Sequence, residues 1–96
     1  MDINEIRKEK KAEIIRIAKR YGASNIRLFG SLVRNDLNET SDIDVLITIE
    51  RGRTLIDLFS IGEELEGILN RRVHIVADDG ISPYLKDKIL SEAIPL

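Results

Sequence analysis

Ninety-six residues, 43% apolar and 33% charged, are enough for one packed core and leave no second lobe to hold a bulky substrate. A formal net charge of −2 excludes the strongly basic field of a nucleic-acid binder, and Tyr21, Phe29, Phe59 and Tyr84 are too few aromatics to stack nucleobases. The chain has no cysteine, no apolar run near the ~18 residues of a membrane span and no signal-peptide pattern, so a cytoplasmic chain without disulfides, zinc sets or a membrane anchor is expected.

The apolar positions Ile6, Ile14, Ile17, Ala18 and Tyr21 fall at helical spacing, which predicts one helix from an N-cap at Asn4 to Tyr21, stopped by Gly22. Its cations, from Arg7 to Arg20, interleave with Glu5, Glu9 and Glu13 in the order of a solvated helix face. Ile26-Arg27-Leu28-Phe29 reads as a short strand ending on Gly30, Ser31 to Arg34 as a short helix, and Asn35 to Ser41 as a polar loop.

From Asp42 the alternation is clean, with Ile43, Val45, Ile47 and Ile49 on one face and Asp42, Asp44, Leu46 and Thr48 on the other. Thr54 and Asp57 form a capping box for a helix whose face runs through Leu55, Leu58, Phe59, Gly62, Leu65 and Leu69 to Asn70. Arg72 to Asp78 returns to a period of two, and Ser82-Pro83 opens a last helix reaching about Ala93. The expected class is α/β: residues 1–96 as a single domain, a three-stranded mixed sheet covered by helices, in the order α-β-α-β-α-β-α.

Asp42 and Asp44, two apart on a strand, project from one face with α-carbons ~6.6 Å apart. Two carboxylates so placed suit Mg²⁺, which takes one or two protein carboxylates and completes its shell with water and phosphate oxygens. Alone, the pair reads more readily as a loop cap followed by a solvent-facing residue. Gly30-Ser31 alone is equally local: a strand end and a helix cap, or a place where phosphate approaches the backbone and meets N–H donors. Ten residues separate Ser31 from Asp42. With each residue type at roughly 7% frequency, G-S-x10-D-x-D arises by chance on the order of 10⁻³ times in so short a chain. The combination is therefore read as functional.

Gly30-Ser31-Leu32-Val33-Arg34 followed by Ser41-Asp42-Ile43-Asp44-Val45-Leu46-Ile47 resembles the minimal nucleotidyltransferases of the DNA polymerase beta superfamily, and the resemblance covers nearly the whole chain. It implies that Gly30 and Ser31 grip a nucleoside triphosphate, ATP or another, and that Asp42 and Asp44 hold two Mg²⁺ ions. It also implies a partner, since many members are antitoxins of a HEPN-domain ribonuclease and some transfer AMP from ATP to a tyrosine of that toxin. Arg34 fits a phosphate contact or an ion pair with a surface carboxylate. Arg71 and Arg72 fit phosphate contacts or solvated strand-end cations.

The chain departs from the family at one position. A third carboxylate is usual on the next strand, in a segment like V-D-L-V, whereas this chain reads Val73-His74-Ile75-Val76. Neutral imidazole is a poor Mg²⁺ ligand. His74 is left as a general base for the acceptor proton, a remnant of the carboxylate position, or a structural histidine. Asp78 shares its strand face but lies ~13 Å along an extended chain, too far to substitute. Three readings follow: a transferase of a nucleoside monophosphate to a hydroxyl of a partner protein, a catalytically lapsed module that neutralises a toxin by contact alone, or a small α/β regulatory domain with no ligand.

Overall fold

The computed structural model describes residues 1–96. Helices α1 (Ile3–Glu9) and α2 (Lys11–Arg20) lead into strand β1 (Ala23–Phe29), the one-turn helix α3 (Ser31–Arg34) and strand β2 (Ile43–Ile49). Helix α4 (Leu55–Leu69), strand β3 (Val73–Ala77), a 3₁₀ turn at Asp78–Gly80, helix α5 (Pro83–Glu92) and strand β4 (Ile94–Pro95) complete the chain. The sheet is mixed, in the order β3-β2-β1-β4, with β2 parallel to β3 and β1 antiparallel to both β2 and β4.

The α/β class and the succession of elements follow the sequence reading; three details differ. The N-terminal helix is two helices, divided at Lys10 and capped by the Asp2 side chain rather than by Asn4. Ile6 and Ile14 are both buried, yet eight residues apart they diverge by ~80° around a continuous helix, and the break lets both reach one core. β1 starts at Ala23, three residues earlier than expected, because a register shift between Ser24 and Arg27, with Asn25 at φ 51°, keeps the strand paired across an irregularity. The sheet has a fourth strand: Ile94 and Pro95 pair with Leu28 and Arg27, and the Leu96 N–H donates to the Ile26 carbonyl at 3.0 Å.

The core lies on the apolar face of the strands, where Leu28, Ile43, Val45 and Ile47 meet Ile6, Ile14 and Ile17 of the first two helices and Ile61, Leu65 and Leu69 of α4. α4 begins with the expected capping box, in which Thr54 accepts from the Ile56 N–H and Asp57 accepts from the Thr54 N–H. Leu46, on the polar face by alternation, is nevertheless fully buried, and Phe29 is buried outside the main cluster. Cross-strand register aligns Phe29, Asp44 and His74 in one row across β1, β2 and β3, with Arg27, Leu46 and Val76 in the next. The polar face of the sheet therefore has an apolar floor beside its charged end.

Candidate active site

The charged end of that face is a cleft of about 250 Å³ between the β1–α3 turn and helix α5. Gly30, Arg34, Asp44 and His74 line it from the sheet side. Leu85, Lys88, Ile89 and Glu92, at the i, i+3, i+4, i+7 spacing of one helix face, line it from α5.

Gly30 is buried at φ 75°, ψ −151°, a conformation almost confined to glycine. A β-carbon at this position would stand 2.1 Å from Asp44 Oδ2. The glycine is thus required by a contact within the protein: the turn and the second aspartate of the motif approach too closely for any side chain. Ser31, separated from Asp42 by ten intervening residues, opens α3 directly beside this contact.

Asp44 is the register partner of His74, and His74 Nδ1 lies 3.1 Å from Asp44 Oδ1. An ionised carboxylate only accepts, so Nδ1 is the ring nitrogen that donates to Asp44, and Nε2 is the one turned away from it. Burial pushes the Asp44 carboxyl above the usual carboxylate range; hydrogen bonding to His74 offsets part of this, and the like charge of Asp42 adds to it. The sequence expectation that His74 faces with the aspartates is met for Asp44, whereas Asp42 does not line the cleft. Asp78 is engaged elsewhere: Thr48 donates to it at 2.6 Å and Arg27 at 3.0 Å.

Asp42 precedes β2 and is paired with Arg72, whose Nε lies 3.1 Å from Asp42 Oδ1. The contact lacks hydrogen-bond alignment, and this oxygen is buried without a donor. Arg71 is half-buried, and Arg72 stays exposed at the strand end, as the sequence reading allowed. Arg71 donates to the carbonyls of Asn38 and Ser41, and Arg72 to that of Thr40, so that both clasp the loop before Asp42.

Arg34 is paired with carboxylates: Nη1 donates to the Glu92 oxygens at 2.9 and 3.1 Å, and Nε lies 3.4 Å from Asp36. Glu92 also accepts from the Gly30 N–H. Neither Glu92 nor its α5 neighbours Leu85, Lys88 and Ile89 were marked by the sequence. Only their helical spacing signalled a shared face, and nothing in it said what that face would meet.

The donor set fits Mg²⁺. It supplies hard oxygen ligands only, one of them buried without a hydrogen bond and the other on a carboxylate whose ionisation burial disfavours. No group of three acidic, histidine or cysteine side chains converges there. Water and phosphate oxygens would have to complete the coordination.

A family model described as a nucleotidyltransferase domain matches residues 5–96. The chain is 43% identical over 94 residues to a proposed protein adenylyltransferase of Methanocaldococcus jannaschii, covering 98% of this chain and 97% of that protein. A solved structure of a proposed minimal nucleotidyltransferase superposes over 100% of this chain and 97% of its own, with a TM-score of 0.85 and 42% identity. A more distant fold neighbour, an MNT antitoxin in complex with a tri-AMPylated HEPN toxin of Shewanella oneidensis, covers 88% of this chain and 66% of its own at a TM-score of 0.67 and 20% identity. On these matches, over nearly its whole length, the chain belongs to the nucleotidyltransferase domain family.

Proposed function

We propose that residues 1–96 act as one cytoplasmic, Mg²⁺-dependent nucleotidyltransferase domain that binds ATP or another nucleoside triphosphate and transfers its nucleoside monophosphate to a hydroxyl of a partner protein, a HEPN-type toxin. The observation that carries this reading is the contact of Asp44 with Gly30, which joins the two halves of G-S-x10-D-x-D across a cleft that also holds Arg34 and His74. Relatives named as protein adenylyltransferases, and the fold neighbour found with an AMPylated HEPN toxin, favour a protein acceptor and AMP as the transferred group.

In this reading Asp42 and Asp44 hold two Mg²⁺ ions, supported by their oxygen donors and by Asp42 Oδ1, which is buried without a hydrogen bond. Bound there, Mg²⁺ supplies neutralisation of the triphosphate and of the charge that develops on the departing oxygen. Gly30 and Ser31 contact the triphosphate through the turn, and Arg34 adds a guanidinium suited to paired phosphate oxygens. The acceptor oxygen bonds to the α-phosphorus, the bond from that phosphorus to the oxygen bridging to the β-phosphate breaks, and pyrophosphate leaves. His74 Nε2 takes the acceptor proton, while Asp44 Oδ1 holds Nδ1 and so fixes the ring. The His74 side chain is 59% exposed, as a base that meets a hydroxyl delivered by a separate protein must be.

A second reading has one observation in its favour: no third carboxylate joins Asp42 and Asp44. Under it the chain is a lapsed transferase that neutralises its partner by contact. Transfer of label from α-labelled ATP and Mg²⁺ onto the HEPN-type partner separates the two. The expected result is labelling by the native chain, lost in Asp42→Asn and Asp44→Asn. Labelling only by His74→Asp, with toxin neutralisation intact in the Asn variants, would overturn the transferase reading in favour of contact alone.

A further inference from the structure

We propose that Glu92 is a built-in anion that occupies the phosphate-binding groups of the cleft and must be displaced by the incoming triphosphate; this rests on the nucleotide reading above. Glu92 comes from the last turn of α5, 58 residues from Arg34 and 62 from Gly30. Its carboxylate nevertheless takes the Gly30 N–H and both contacts of Arg34 Nη1. These are the backbone donor and the guanidinium assigned to the phosphates, and a carboxylate is the nearest protein equivalent of a phosphate's oxygens in charge and donor preference.

Three features separate this contact from an ordinary surface ion pair. The Glu92 side chain is only 16% exposed, although it sits near the end of a helix whose other residues are mostly exposed. It binds a buried main-chain donor as well as a side chain. It also stands in a cleft that already holds the Asp44 carboxylate, so that its own charge is tolerated only because Arg34 and the Gly30 N–H neutralise it and Lys88 lines the same wall. Asp36 touches Arg34 from the exposed side and does not enter the cleft, leaving Glu92 as the carboxylate in competition with phosphate.

A ligand that needs these donors binds only the fraction of molecules in which Glu92 has moved away, and its apparent affinity falls by that fraction. The contact therefore sets a threshold: a single phosphate, with few contacts to gain, exchanges poorly with Glu92, whereas a triphosphate recovers the lost pair along its length.

The test is calorimetric titration of the full chain with inorganic tripolyphosphate without metal, and with ATP and Mg²⁺, comparing the native protein, Glu92→Gln and Asp36→Asn. Glu92→Gln is expected to bind both ligands about tenfold more tightly, and Asp36→Asn, which removes the same charge from the outer side of Arg34, less than about threefold. In the native protein the side-chain carboxyl ¹³C resonance of Glu92 and the Gly30 amide should both move as tripolyphosphate saturates, which keeps the test decisive if Glu92→Gln folds poorly. Equal affinity in native and Glu92→Gln protein, equal gains in the two variants, or a stationary Glu92 resonance at saturation overturns the displacement and leaves the nucleotide site standing. Binding of neither ligand by any form overturns the nucleotide reading, and the displacement with it.

Discussion

Replacing Gly30 by alanine tests the closest contact in the site. The substitution carries two costs. Holding alanine at φ 75°, ψ −151° costs about 1–3 kcal/mol, since that region is almost closed to residues with a β-carbon. The new methyl would stand 2.1 Å from Asp44 Oδ2 and 3.0 Å from its Cγ, and relieving such an overlap costs about 1–3 kcal/mol more. Together these give about 2–6 kcal/mol, or a fall in Tm of at least about 10 °C for a domain of this size. Gly52 is the internal control: at φ 87°, with no atom within 4 Å of where a methyl would stand, it carries only the backbone cost, about 1–2 kcal/mol. Chemical denaturation of Gly30→Ala, Gly52→Ala, Asp44→Ala and the Gly30→Ala/Asp44→Ala double variant separates the terms. The double variant should recover the overlap cost and keep the backbone cost. If Gly30→Ala is no more destabilising than Gly52→Ala, or the double variant shows no coupling, the turn and Asp44 are not in rigid contact and the argument for this glycine is wrong.

Asp44→Asn should raise stability at neutral pH while abolishing metal-dependent nucleotide binding. Because burial raises the folded-state pKa of Asp44 above its unfolded value, the stability contributed by the protonated form is full below the unfolded value, about 3.9, and is lost as pH rises through the folded one. Thermal melts across pH 3 to 8 should show the Asn variant ahead at pH 7 and the gap closing toward pH 3; a variant less stable at pH 7 would refute the burial argument. Asp78 behaves in the opposite sense. Burial pushes it up, but hydrogen bonds from Thr48 and Arg27 outweigh that and hold it below the usual range, so its contribution is present above about pH 3.9 and lost as pH falls through the lowered value. Asp78→Asn should therefore lower Tm at pH 7 and flatten the acid limb of the stability profile; an unchanged acid limb would count against the pairing. Thr54→Ala removes the cap oxygen at the start of α4 and should cost about 1 kcal/mol by denaturant titration, with nucleotide binding unaffected. A loss below about 0.3 kcal/mol would mean that packing alone holds that turn.

Much of the site was legible because its residue types and spacing are set by chemistry. A glycine is needed where Asp44 meets the backbone, and the proposed Mg²⁺ would need hard oxygen donors, so Gly30, Asp42 and Asp44 stand out as candidates before any fold is known. Strand periodicity also told correctly that His74 shares the face of the aspartates, which the register then brought to 3.1 Å from Asp44. Glu92 was not legible, because its approach to Gly30 depends on how α5 crosses the sheet, and no local pattern encodes a contact 62 residues away. The roles of Arg71 and Arg72 were missed for a related reason: long cations at a strand end reach whatever carbonyls the neighbouring loop turns toward them, here those of Asn38, Thr40 and Ser41. β4 escaped because two residues, one of them a proline with no N–H, give neither periodicity nor a full ladder, and its place depends on pairing with the β1 edge. The division at Lys10 carries no glycine or proline to mark it, and only the need to bury both Ile6 and Ile14 explains it.

Each charged group assigned to a ligand is already paired within the chain: Asp42 with Arg72, Asp44 with His74, and Arg34 with Glu92. Ligand affinity at such a site is a difference between two sets of ion pairs, and the two sides of the cleft do not release theirs at equal cost. Arg72 and Asp42 are 75% and 43% exposed in their side chains, so their pair is worth about 0–1 kcal/mol and yields readily to a cation. Glu92 is 16% exposed and holds the buried Gly30 N–H as well as Arg34, so an incoming anion must replace a main-chain bond and an ion pair together. The carboxylate side should therefore accept Mg²⁺ at little cost, while the phosphate side resists any anion that cannot replace Glu92 in full. Such an arrangement favours a metal-bound triphosphate over its smaller products, and it predicts that pyrophosphate leaves more readily from the native chain than from Glu92→Gln. Product inhibition by pyrophosphate in the labelling assay measures this directly: the inhibition constant should fall in Glu92→Gln, and a constant unchanged from the native value would mean that Glu92 takes no part in product release.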